Sequence, residues 1–195
     1  MVHVSGTPYG YFITKKDYGD YYLRAEFKWG EATHAPRKDL ARDSGILFHA
    51  PDTQERAGLP GSIFPTSIEF QIMEGSTGDV ILVKGPKLTV NGVTKPDDAG
   101  RTFDRFNKTP WTGGAAYKAP LGYRDPGNEV EKPHGEWNVL EMVSDADHVR
   151  YWVNGTLVME GTKASLTKGK ILFQSEGAEL FYRNIELRPL KKKLE

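Results

Sequence analysis

Short runs of alternating apolar and polar residues recur along the chain between turn signals, and helical periodicity is scarce. The clearest run is Tyr21 to Trp29, where Leu23, Ala25, Phe27 and Trp29 alternate with Arg24, Glu26 and Lys28. Such a strand buries one face and leaves the other polar. Tyr9 to Thr14 precedes it across Lys-Lys-Asp-Tyr-Gly-Asp, and Ser44 to His49 and Ser67 to Met73 follow. Trp137 to Ser144 and His148 to Val153 are expected to pair across Asp145-Ala146-Asp147, with Thr156 to Glu160 extending the meander. Lys170 to Gln174 and Leu180 to Leu187 finish the set. Val90-Asn91-Gly92-Val93 and Val153-Asn154-Gly155-Thr156 place residues tolerant of positive φ between β-formers, as hairpin turns require.

Between roughly Pro86 and Gly135 the pattern loosens around Pro96, Pro110, Pro120, Pro126, Pro133 and the pair Gly113-Gly114. A long irregular insertion of this kind reads as part of a binding-site wall. Many strands, few helices and no internal repeat predict an all-β fold, a two-sheet antiparallel β-sandwich. The length of 195 residues suits a single domain over 1–190, with 191–195 as a basic tail.

Composition narrows the partners. Lys plus Arg balance Asp plus Glu at 26 each, so no net charge draws the chain to nucleic acid. With no cysteine there are no disulfides, thiolate metal sites or Cys nucleophile. No apolar run approaches the roughly 18 residues of a membrane span, and no signal peptide is legible at Met1.

The most informative segment is Ser67-Ile68-Glu69-Phe70-Gln71-Ile72-Met73-Glu74. Ile68, Phe70 and Ile72 share one strand face, which leaves Glu69 and Gln71 on the other, about 7 Å apart along the strand. That spacing suits a grip on one sugar ring, and it equally suits an ordinary solvent-facing strand. Glu69 and Glu74 also stand in a Glu-x-Gln-x-x-Glu pattern. It is similar to the Glu-x-Asp-x-x-Glu of laminarinase-like glycosidases, where a bulge turns the last Glu onto the first one's face. A retaining hydrolase needs two carboxyl groups about 5 Å apart, and Gln71 stands where that pattern has Asp. His49 at its strand end suits a general acid or base or a metal ligand, although a lone His is more often structural. Glu176 precedes Gly177 in a tight turn or a polar hairpin tip, and Arg183-Asn184 lies on the last strand. Trp111 and Tyr123 in the long loop suit stacking on sugar or plain loop packing. His34 and His134 receive no role. Phosphate loops, HExxH helices and Gly-x-Ser-x-Gly elbows are absent from the sequence.

Seven strings in order carry a resemblance: Tyr9 to Thr14, Tyr22 to Trp29, Asp43-Ser44-Gly45-Ile46, Ile68 to Ile72, Gly135-Glu136-Trp137-Asn138, Trp152-Val153-Asn154-Gly155, and Tyr182-Arg183-Asn184-Ile185. In these the chain resembles the 3-keto-disaccharide hydrolase family. The resemblance implies a concanavalin A-like jelly roll with a sugar cleft on its concave sheet. It also implies export to the periplasm or beyond, and an initial strand that Met1 follows. Without that strand an open sheet edge is available for pairing with a second copy of the chain. The implied chemistry is proton abstraction from sugar C2, acidified by a ketone at C3, followed by loss of the glycosidic oxygen from C1. On this reading Glu69 is base or metal ligand and His49 is acid or ligand. Gln71 orients a sugar hydroxyl, with Glu176 and Arg183 lining the cleft. A divalent metal would suit enolate stabilisation. Two alternatives stay open: a conventional retaining endo-glucanase using Glu69 and Glu74, and a non-catalytic carbohydrate-binding module.

Overall fold

Period-two alternation does produce strands. In the computed structural model, which describes residues 1–51, 63–96, 102–107 and 116–190, fourteen strands form and no α-helix occurs among the described residues. In chain order these are β1 (Val2–Val4), β2 (Gly10–Ile13), β3 (Tyr21–Thr33), β4 (Asp43–Ala50), β5 (Ser67–Met73), β6 (Val80–Val83) and β7 (Leu88–Val90). They continue with β8 (Val93–Lys95), β9 (Thr102–Phe103), β10 (Asn138–Asp145), β11 (His148–Val153), β12 (Thr156–Gly161), β13 (Lys170–Ser175) and β14 (Ala178–Pro189). The first sheet runs β1-β14-β3-β10-β11-β12 and the second β2-β13-β4-β5-β6-β9, while β7 and β8 form a separate hairpin. Pairing is antiparallel throughout the named strands. The expected all-β, two-sheet antiparallel sandwich is therefore the observed one.

The sheets meet through the apolar sides of their central strands. From β3 come Tyr21, Leu23, Ala25, Phe27 and Trp29, and from β5 come Ile68, Phe70 and Ile72, all in one buried cluster. Phe70 stacks on Tyr151 of β11 at 4.2 Å between ring centroids, so the two sheets touch ring to ring. Phe173 of β13 meets Tyr182 of β14 edge-on at 5.2 Å beside it. Such aromatic pairs add to what their buried area already contributes.

The sequence reading misses the short strands β6 and β9, and of β7 and β8 it marks only the turn between them. The Asn91-Gly92 turn it marks does join β7 to β8, with Val90 opposite Val93. Strands of two to four residues are too short to show periodicity, and tertiary pairing defines them instead.

Because Phe70 fills the contact between the sheets, Phe70→Ala should cost about 3–5 kcal/mol in denaturant unfolding. A loss below about 1 kcal/mol would mean that the stack on Tyr151 is not a principal contact.

Candidate functional site

With Ile68, Phe70 and Ile72 committed to the core, the pleat sends Glu69 and Gln71 to the outer face of the second sheet. Both are nonetheless buried, at 4% and 3% exposure, so that face is covered. The strand partner of Gln71 is Gly45 of β4, and a Cβ there would overlap Glu69 Oε1 and stand 2.7 Å from Gln174 Oε1. Gly45 thus supplies the floor on which Glu69 lies, with Gln174 of β13 beside it. Gln71 Nε2 donates to Asp43 Oδ1 at 3.0 Å, and Asp43 Oδ2 faces Arg37 Nε at 3.3 Å.

The loop before β4 forms the wall. Arg37 Nη2 donates to the carbonyl of Ala41 at 3.0 Å, and the guanidinium lies over the Tyr117 ring at 4.4 Å. His34 N–H donates to Gly177 O at 2.7 Å. Gly177, at φ +85°, lets that loop sit against the β13–β14 turn, since an added Cβ would stand 3.1 Å from the Tyr9 hydroxyl and 3.5 Å from Arg37 Cβ. Tyr9, Arg37, Asp43, Glu69, Gln71, Gln174 and Glu176 therefore surround one place on the outer face of the second sheet.

Its electrostatics are unusual. Burial holds the Glu176 carboxyl well above the carboxylate range, helped by the charges of Asp43 and Glu69 and opposed by Arg37. Burial likewise raises Asp43, against the pull of Arg37, the Gln71 amide and the Ser44 N–H. The Tyr9 hydroxyl is also raised, by burial first and then by Glu176. Four buried side-chain atoms in this group have no hydrogen-bond partner: Tyr9 OH, Arg37 Nε, Gln71 Oε1 and Gln174 Oε1. Such orphans are costly to bury, and these four stand in one group.

The other expected residues are not gathered here. His49 lies on the opposite face of β4, and this corrects its pairing with Glu69 as acid or shared metal ligand. A positive φ of 55° at His49, next to the register shift between β4 and β13, turns its ring into the interior. There Nδ1 meets Leu166 O at 2.8 Å and Nε2 meets Ser144 Oγ at 3.3 Å, with Tyr21 and Phe48 edge-on to the ring. Burial lowers its pKa. Arg183 lies on the first sheet, where Nε donates to Glu26 Oε2 at 2.6 Å and the guanidinium covers Trp137 at 4.0 Å. It does not line the same cleft as Glu69.

Glu74 follows β5 without a bulge in the β4–β5 register. Its oxygens accept from Arg42 Nη1 at 2.7 Å, Arg42 N at 2.9 Å and Gly122 N at 2.8 Å. It is a buried ion pair that ties the β4 entry to the 116–123 loop. Tyr123 packs over Gly75 and against the small cluster of Ala41, Met73, Ala116 and Ala119. Trp111 lies outside the described residues. No group of three or more His, Asp or Glu side chains among the described residues is arranged to hold a metal ion.

Sequence reading missed Arg37, Asp43 as a site residue, Tyr9 and Gln174. Gln174 was within reach, because alternation in Ile171 to Gln174 sets it opposite Phe173, a core residue. Arg37 sits outside periodic segments, and Tyr9 opens the expected strand Tyr9 to Thr14, where alternation gives it no role.

Two outcomes follow. Gly45→Ala should keep the sheet, cost about 1–3 kcal/mol, and displace Glu69 and Gln174 in a crystal structure; unmoved side chains would contradict the packing described. Away from the site, burial raises Asp79 and Glu131 to about 7. Their folded values exceed their unfolded ones, so the stability they contribute is complete below about pH 4 and is lost as pH rises through 7. Asp79→Asn keeps the acceptor for Arg105 N–H, bonded at 2.8 Å. It should flatten the decline of melting temperature between about pH 5 and 8, and an unchanged slope would count against this assignment.

Comparison with known proteins places the chain. It matches the family described as 3-keto-alpha-glucoside-1,2-lyase-like domain over residues 1–188. Two crystal structures of Parabacteroides distasonis proteins, provisionally described as glycosyl hydrolases, are similar. One is 20% identical with a TM-score of 0.55, covering 94% of this chain and 85% of that one. The other is 18% identical with a TM-score of 0.52, covering 92% and 76%. A carbohydrate-binding module of Bacillus subtilis shares the fold at 8% identity and a TM-score of 0.51, covering 91% and 80%. No curated protein matches the chain. At these identities the solved structures speak for the fold, and the match over residues 1–188 speaks for kinship: the chain belongs to the 3-keto-alpha-glucoside-1,2-lyase-like domain family.

Proposed function

We propose that this protein cleaves the glycosidic bond of 3-keto-glycosides by C2 proton abstraction, elimination and hydration, with the outer face of the second sheet as its active site. The observation that carries the reading is the convergence of Glu69 and Glu176 with the partnerless polar atoms of Tyr9, Arg37, Gln71 and Gln174. Family membership supports a ketone-bearing glycoside as the substrate class.

The two carboxyl groups divide the proton traffic. Glu69, set low on the Gly45 floor, takes the proton from C2. The C–H electron pair moves into a C2–C3 enolate with charge on the C3 oxygen. Collapse of the enolate restores the C3 ketone, forms the C1–C2 double bond and breaks the bond from C1 to the leaving oxygen. Glu176, kept protonated by burial and by its anionic neighbours, gives that oxygen a proton. Water then adds, hydroxyl at C1 and hydrogen at C2, to give the free 3-keto-sugar. Gln71 and Gln174 offer carboxamide oxygens to the hydroxyl protons of the ring. A divalent metal bound near the C3 oxygen would supply Lewis acidity, but the described residues present no ligand set for one. The retaining-glucanase alternative pairs Glu69 with Glu74, whose oxygens are taken up by Arg42 and Gly122.

Paired substrates test the reading. The protein should cleave a 3-keto-glycoside, leave its unoxidised parent nearly untouched, and lose at least ~100-fold in rate as Glu69→Gln. Equal rates on both substrates would move the assignment to a conventional glycosidase. Sugar binding with no turnover would leave a binding module.

A further inference from the structure

Elimination through an enolate requires something to hold the negative charge on the C3 oxygen, and the partnerless atoms sort themselves by polarity. Gln71 Oε1 can only accept, whereas Arg37 Nε–H can only donate and the Tyr9 hydroxyl is able to donate. The amide of Gln71 is fixed in this sense because its Nε2 already donates to Asp43. A ring hydroxyl proton therefore belongs on the glutamine side. An oxygen without a proton belongs between Arg37 and Tyr9.

We infer that Arg37, assisted by the Tyr9 hydroxyl, is the oxyanion donor of the site: its Nε–H binds the C3 oxygen of the 3-keto-sugar and strengthens that bond as the enolate forms. This rests on the elimination reading given above. The guanidinium is held for the task on three sides. Tyr117 covers its plane at 4.4 Å, Nη2 is anchored on Ala41 O at 3.0 Å, and Asp43 faces Nε at 3.3 Å without an aligned hydrogen bond. Arg37 is 6% exposed, so its charge acts with little solvent screening. A donor fixed before the reaction needs no reorganisation when the charge develops, which is what makes such groups effective. An ammonium on a lysine stem would keep the charge, yet it lacks the planar Nε–H, the ring stacking and the anchor on Ala41.

Hydrogen–deuterium exchange at C2 reads enolate formation separately from cleavage. In D2O with a 3-keto-glucoside, wild type should both exchange and cleave. Arg37→Lys should lose both by at least ~100-fold in kcat, with KM changed by less than ~10-fold, since the bond strengthens mainly in the transition state. Glu176→Gln should keep exchange while losing cleavage, because it acts only on the leaving oxygen. Tyr9→Phe removes an atom with no partner in the fold, so its melting temperature should hold while exchange falls about tenfold. Exchange retained in Arg37→Lys overturns the inference and leaves the elimination reading standing. Wild type that cleaves without placing solvent deuterium at C2 of the product, or does not cleave at all, overturns the elimination reading itself. Should Arg37→Lys fail to fold, unchanged exchange in Tyr9→Phe would overturn the pairing of the two donors.

Discussion

The alternation on β5 is the constraint from which the rest follows. Ile68, Phe70 and Ile72 leave water together on one side of a strand flanked by β4 and β6, and Phe70 fixes the register by stacking on Tyr151. A slip of one residue would carry every apolar side chain out of the core, so the register has no tolerable neighbour. Glu69 and Gln71 are thereby sent to the outer face without any polar interaction having to choose that place. The core determines where the site is; the outer neighbours determine only what it contains.

What it contains is expensive to keep. Burial beside one guanidinium raises the Asp43 and Glu176 carboxyls, and partnerless polar atoms remain around them. A sequence selected for stability alone would replace such a group by apolar residues, as it does a few residues away. There Leu47, which pairs with Glu69, joins Leu172, Val83 and Ile81 in an outer apolar cluster on the same sheet. The contrast along one face argues that the polar group is retained for chemistry.

Legibility in the sequence followed periodicity. The long strands and the facing of Glu69 and Gln71 could be read because alternation is a property of consecutive residues. Seven strings in order gave the family. His49 escaped because one residue with positive φ breaks the alternation that would have predicted its direction. Glu74 escaped because its partner Arg42 is remote in sequence and adjacent only in the β4–β5 pairing. Arg37 and Tyr9 lie in loops, where position is set by tertiary hydrogen bonds such as His34 N–H to Gly177 O. No local pattern announces those bonds.

A second cluster of the same chemical types shows what distinguishes a site from a brace. On the outer face of the first sheet, Glu26 receives Arg24 at 2.8 Å, Arg183 at 2.6 Å and Asn184 at 3.0 Å. These donors pull its carboxyl down to about 2, so it stays charged and fully bonded over any ordinary pH. The bulge at Asn184, with φ 49°, is held in the same way. Residue types alone do not separate this cluster from the one around Glu69, since each joins Glu, Arg and a carboxamide. The separation lies in the accounts of hydrogen bonds. Around Glu26 each donor meets an acceptor and the carboxylate is stabilised, which makes a rigid fastening. Around Glu69 carboxyl groups are raised and donors and acceptors stand partnerless at matched positions, a state whose cost a polar ligand can relieve on binding. Chemistry requires groups whose bonding is incomplete until the substrate arrives, and the second sheet's outer face offers four such atoms beside raised carboxyl groups.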